Sequence, residues 1–214
     1  MIDQRALTIK LNHVILIEGF QKLSMSKLAT AVDVSRATLY IYFKNKDEIV
    51  QAVVARHLQF ITENPVPKQF ETQNFLPIWL NSLLLMGSTT ETFTTDLQHA
   101  YPELAHQLNM AYRDYFQQLR TYVVQGQQER VILPDYTPEF VIFQAEALLK
   151  TVLQQVRSHQ LTLDQAERYI EDGLKFQLQG LLTDDARSQV DITTIEPFKT
   201  VIMAEFRATY ALIP

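Results

Sequence analysis

Apolar residues recur along this chain at intervals of three and four, the period of a helix, and seldom in strict alternation. The pattern predicts an all-α protein. A first helix is expected over Gln4–Glu18, with Leu7, Leu11, Val14 and Ile15 on its buried face. Gly19 stands where a left-handed residue ends a helix, and Phe20 can fold back on the last turn. Ser24 reads as the N-cap of a second helix that turns Leu28, Ala29 and Val32 inward. Asp33 falls in the next turn, and Ser35 reads as the N-cap of a short third helix, Arg36–Tyr42. Asn45 caps a fourth, with Glu48 three residues on in capping-box register. Ile49, Val53 and Leu58 carry that helix to about residue 61, ahead of Pro65 and Pro67.

Longer helices are expected over about 74–87, 101–128, 138–159, 163–182 and 195–212, with a short one over 90–99. Pro102 and Pro138 suit first turns, and Thr162 can cap the helix beginning at Leu163. Residues 130–137 and 184–194 read as loops. The expected organisation is a three-helix helix-turn-helix domain over 1–47 and a larger helical bundle domain over 48–214.

Charge changes this picture, because it is uneven. Residues 1–57 hold eight Lys and Arg against five Asp and Glu, net +3. Residues 58–214 hold eleven against nineteen, net −8. A basic end on an acidic protein points to a nucleic-acid-facing head. The chain has no cysteine, which excludes disulfides and thiolate metal sites. Its richest apolar stretch, 75–86, is broken by Pro77, Asn81 and Ser82 and falls short of the roughly 20 residues a bilayer requires. With no signal-peptide pattern at the start, a cytoplasmic protein without a membrane partner is expected.

Two short helices joined by about three residues, covered by one helix and followed by another, make the layout in which the second short helix enters the major groove. Its exposed residues suit that task. Arg36 can donate bidentately to guanine. Thr38, Tyr40 and Tyr42 can reach phosphates or thymine methyls. Lys46 opens the fourth helix, where main-chain N–H groups already favour a phosphate. Leu39 and Phe43 should face the core.

The stretch from Ser24 to Ile49, SMSKLATAVDVSRATLYIYFKNKDEI, resembles the DNA-binding domain of the TetR/AcrR family. That family has a capped second helix, a Gly-Val-Ser turn, a Thr-Leu-Tyr-x-x-Phe helix and a Lys-led fourth helix. The likeness covers roughly residues 5–55. It implies base-reading positions at Arg36 and Ala37. It implies backbone-contacting or neighbouring ones at Ser24, Ser26, Lys27, Ser35, Thr38, Tyr40, Tyr42 and Lys46. One departure is Asp33, where the family places its turn glycine; Asp tolerates positive φ better than most residues.

The resemblance further implies a homodimeric repressor that a small-molecule effector releases from a palindromic operator, with no cofactor and no enzymatic activity. The effector pocket should lie among Phe75, Trp79, Leu83, Met86, Met110, Tyr115, Phe116 and Phe143, with Tyr112, Gln144 and Glu146 as polar groups. An ordinary core would show the same apolar spacing. The dimer interface is expected on two antiparallel helices, through Leu148, Leu149, Val152 and Val156 and through Ile170, Leu174, Leu178 and Leu181. The alternative is that both stripes belong to the monomer's own core. His99, Glu103 and His106 could instead hold a metal in an all-helical enzyme, and a helical protein-binding adaptor is a third reading.

Overall fold

The computed structural model describes residues 3–190 and 196–210. Every regular element among them is a helix. In chain order these are α1 (Gln4–Glu18), α2 (Met25–Ala31), α3 (Arg36–Tyr42), α4 (Lys46–Glu63), α5 (Thr72–Gly87) and α6 (Glu91–Ala100). Then come α7 (Pro102–Gln128), α8 (Pro138–Arg157), α9 (Leu163–Leu181), α10 (Asp184–Gln189) and α11 (Glu196–Tyr210). The expected ends of the last helix at 195 and 212, and loop residues 191–194, lie outside the described residues.

The expected helix starts arise from capping. Ser24, Ser35, Thr90, Thr137 and Thr162 each accept the N–H three residues on, satisfying a donor the helix cannot. Thr162 and Gln165 form a full capping box. At α4 the box is shifted: Asn45 accepts from the Glu48 N–H at 2.9 Å, but the Glu48 carboxylate reaches back to the Lys44 N–H at 2.8 Å.

One expected loop is corrected. Thr183 accepts the Ala186 N–H and opens α10, six residues that bury Ala186 and pack on α5. A single apolar residue in a polar hexamer leaves no period to read. Beside it, Leu133 donates its N–H to Leu181 O at 2.7 Å and Thr183 donates to Val131 O at 3.0 Å, an isolated antiparallel bridge.

The chain forms two compact units. The first is built mainly from Met1–Glu63 and Thr89–Arg113, the second from Asn64–Ser88 and Asp114–Arg207. The first is therefore wider than the expected 1–47, because α4 and α6 pack on α1. Its core includes Leu11, Ile15, Phe20, Leu28, Leu39, Phe43, Val53 and Phe93. The 27-residue helix α7 contributes its first turns to this unit and the rest to the second.

In the second unit α8 packs between α5 and α9. Phe75, Trp79 and Tyr122 are fully buried, with Phe70 set 4.8 Å from Tyr122 and 6.2 Å from Phe75 between ring centroids. The interior carries a short polar chain. Trp79 Nε1 donates to Gln177 Oε1 at 3.2 Å, and Gln177 Nε2 donates to Gln144 Oε1 at 3.3 Å. Ser82, also fully buried, donates to Ile78 O and meets the Tyr115 hydroxyl at 3.2 Å.

The stripes expected at a dimer interface face inward. Leu149, Val152, Val156, Leu174, Leu178 and Leu181 are buried within this unit, while Leu148 and Ile170 are half-buried. The six buried residues are used in the monomer's core, and Leu148 and Ile170 keep part of their surface outside it. The outer faces of α8 and α9 instead expose aromatics: Phe140, Phe143 at 65%, Tyr169, and Phe176 at 77%. Among the described residues no helix is long and apolar enough to cross a membrane.

Candidate nucleic-acid interface

Helices α2 and α3 are fixed by their apolar sides. Leu28, Ala29 and Val32 of the first, and Leu39 with Phe43 after the second, all lie in the core of the first unit. The turn between them closes as a Schellman motif. Asp33 donates its N–H to Thr30 O at 3.1 Å and Val34 donates to Ala29 O at 3.0 Å. Asp33 takes φ 56°, so the conformation a glycine would hold survives with aspartate there.

What remains outside is the opposite face. Ser24, Ser26, Lys27, Ser35, Arg36, Ala37 and Tyr40 are exposed, and Thr38 and Tyr42 are half-buried. Arg36 lies over the Tyr40 ring, 5.3 Å from its centroid, with its guanidinium 3.5 Å from the phenol oxygen. Stacking of this kind holds a flexible arginine upright and leaves other N–H donors free for a base edge. The hydroxyls of Ser35 and Thr38 are 2.8 Å apart at the start of α3.

Lys46 departs from expectation. Its ammonium points inward and donates to three main-chain carbonyls of the α1–α2 loop: Phe20 at 3.0 Å, Gln21 at 3.2 Å and Leu23 at 3.3 Å. The three donors of an ammonium are matched, so its first role here is to fasten the loop. Lys46→Met is expected to lower stability by about 1–3 kcal/mol through the orphaned carbonyls, measured by urea unfolding. An unchanged midpoint, with a shallower salt dependence of DNA binding, would return this ammonium to the phosphates.

The same loop is held from α6. The Asp96 carboxylate accepts the N–H of Phe20 at 2.7 Å and of Gln21 at 3.0 Å. Thr90 donates to Leu16 O at 2.5 Å. At the start of α7's side of the unit, the Tyr101 phenol donates to Asp47; burial, with that carboxylate beside it, pushes the phenol up to about 12. Deeper in, His57 of α4 is buried between two partners. Its Nε2 lies 3.0 Å from Asn12 Oδ1, which can only accept, so the proton belongs on Nε2. Nδ1 then accepts from the Tyr112 hydroxyl at 2.9 Å. These long-range bonds tie α4 and the α1–α2 loop to a scaffold made of α1, α6 and the first turns of α7, while α3 packs on α2.

Other expected site residues divide. Phe75, Trp79, Leu83, Met86 and Tyr115 are buried in the second unit; Met110, Phe116 and Gln144 are half-buried. Four do not join them: Met110 belongs to the first unit, and three others are placed elsewhere. Tyr112 sits in the first unit on His57, Phe143 faces solvent, and Glu146 pairs with Lys150 at 2.6 Å on the outside. The sequence reading missed Gln177 and Ser82. Gln177 was legible, being three residues after Leu174 and four before Leu181 on the buried side of α9. His99, Glu103 and His106 are exposed, with the α6–α7 break between the first and the others. Among the described residues no three such side chains come together. The metal-enzyme reading thus loses its site.

Residues 14–53 match the sequence model of bacterial regulatory proteins of the tetR family. An uncharacterized HTH-type transcriptional regulator of Haemophilus influenzae is 49% identical over 39 residues, 18% of this chain and 21% of that protein. The likeness thus spans about a fifth of that relative's length. Among solved structures, the ketosteroid transcriptional regulator KstR2 of Mycobacterium tuberculosis superposes with a TM-score of 0.61 at 13% identity, over 85% of this chain and 95% of that one. A TetR-family regulator of Marinobacter aquaeolei gives 0.60 at 13%, over 94% and 99%. AibR in complex with isovaleryl coenzyme A and operator DNA gives 0.55 at 18%, over 84% and 99%. At these identities the structural likeness is one of fold.

Proposed function

We propose that this chain, of the TetR family by its N-terminal domain and of that family's fold over most of its length, is a sequence-specific DNA-binding transcription regulator. The observation that carries the reading is α3. Its buried side is committed to the core, and its free side presents Arg36 stacked on Tyr40. No catalytic step is assigned to the chain, and no cofactor.

The finer reading is a repressor that acts as a homodimer in the cytoplasm. One seven-residue helix makes few base contacts, whereas two copies can read the half-sites of a palindrome about 34 Å or a multiple apart. The exposed aromatics on α8 and α9 support a two-fold partner seated on those helices. A small molecule is the effector. AibR, alike in fold, was captured with both an acyl coenzyme A and operator DNA, which supports a chain of this shape answering to a ligand. Here the second unit offers an aromatic interior with the polar pairs Trp79–Gln177–Gln144 and Ser82–Tyr115. Helix α7 is the proposed lever alongside α4, since it is continuous through both units and carries Tyr112, which bonds His57 of α4.

The test is selection of bound duplexes from a random pool. A palindrome should emerge; a pool that never departs from random sequence would sink the reading. Arg36→Ala should then cost about 1–3 kcal/mol on the selected duplex, roughly five- to 150-fold, and relax preference at one base pair per half-site. An unchanged preference would remove Arg36 from the readers.

A further inference from the structure

The outermost line of α3 is not its arginine. At about 100° per residue, the direction opposite buried Leu39 falls between Ala37 and Ile41, with Arg36 and Tyr40 to one side and Thr38 to the other. Ile41 is 76% exposed, the most exposed large apolar side chain among the described residues of the first unit, and Ala37, one turn before it on that line, likewise has no polar side-chain atom. A β-branched side chain in a helix is confined largely to one rotamer, so it forfeits little freedom on contact. It can neither donate nor accept a hydrogen bond. The helix-turn-helix surface that carries it also exposes Lys27 on α2, Arg36 on α3 and Lys44 just after α3. Those charges suit a phosphate-rimmed surface and oppose a lipid tail or an apolar protein face. The feature of a duplex groove that matches a stiff methyl-bearing edge is the C5-methyl of thymine.

We infer that Ile41, with Ala37 before it, reads thymine methyl groups and makes A·T pairs a requirement beside the base contacted by Arg36. This rests on the DNA-binding reading above and adds a specificity residue and a base class to it. The expected half-site has a thymine within one or two base pairs of the Arg36-read position.

The experiment takes a duplex selected from the random pool by the intact protein and replaces each thymine in turn by uracil, which deletes only the methyl group. At one or two positions per half-site, binding should weaken roughly fourfold per half-site, the value of one buried methyl. The Ile41→Ser variant should keep the melting curve of the parent, bind the parent duplex less tightly, and be indifferent to uracil at one of those positions. Equal binding of every uracil duplex by the intact protein overturns the inference, although the DNA-binding reading stands. So do uracil losses that persist in Ile41→Ser and vanish only in Ala37→Gly. If no duplex is selected at all, the DNA-binding reading fails and this inference falls with it.

Discussion

Gly19→Ala is expected to cost about 4 kcal/mol and to lower the melting temperature of the first unit sharply, while leaving it mostly folded at ambient temperature. Gly19 has φ 73° and ψ −172°, a region that only glycine occupies without strain, at about 1–3 kcal/mol for any other residue. An added Cβ would overlap the Asp96 carboxylate and stand 3.0 Å from the Thr92 methyl. The carboxylate cannot yield freely, because it accepts the N–H groups of Phe20 and Gln21. Moving it aside abandons hydrogen bonds to a charged group, each a contribution of about 1.5–3 kcal/mol. Set against a typical domain stability of roughly 5–15 kcal/mol, that loss is a large share of the whole. Thermal melting and hydrogen exchange in α1 and α2 check it; a variant that melts with the parent would show that the turn can relax, and the account of the Asp96 clasp would be wrong.

This turn also shows where sequence stops being informative. Gly19 and Ser24 announce a helix end and a helix start through local chemistry, and both ends came out where expected. The residues that hold the turn, Asp96 and Lys46, are 77 and 27 positions away from Gly19 and carry no local mark of that role. Lys46 reads as a phosphate ligand because a helix start favours one; in the structure its ammonium donates to three carbonyls of a distant loop. Non-glycine residues at positive φ were legible at Asp33 only, through the resemblance. Arg130 and His159 end α7 and α8 the same way, each with the paired N–H bonds of a Schellman motif; histidine tolerates positive φ better than most residues, but nothing in arginine's chemistry favours φ 59°. The exposed face of α3 was legible because burying Leu39 and Phe43 leaves one side over. Ile41 on that side passed unnoticed, since an isoleucine in a helical pattern reads as core.

The phase of α8 and α9 could not be read either, and this sets the last expectation. Both helices are apolar on two sides, so periodicity finds stripes without saying which one meets the chain's own core. The interior takes Leu149, Val152, Leu174 and Leu178, and the aromatics are left outside. Phe143→Glu combined with Phe176→Glu should therefore convert a dimer to a monomer, seen by analytical ultracentrifugation. Two-fold symmetry places each new carboxylate in the interface twice, where it is desolvated without a partner. The monomer should stay folded, because these side chains are 65% and 77% exposed and contribute little to the unit's core. Binding to a full palindrome should then fall by at least about a hundredfold, since the second head no longer enjoys an effective concentration set by the first, while binding to an isolated half-site is unchanged. A doubly substituted protein that remains dimeric would move the interface elsewhere. One that is monomeric yet holds the palindrome as tightly as the parent would break the link between symmetry and DNA affinity on which the two-headed mechanism depends.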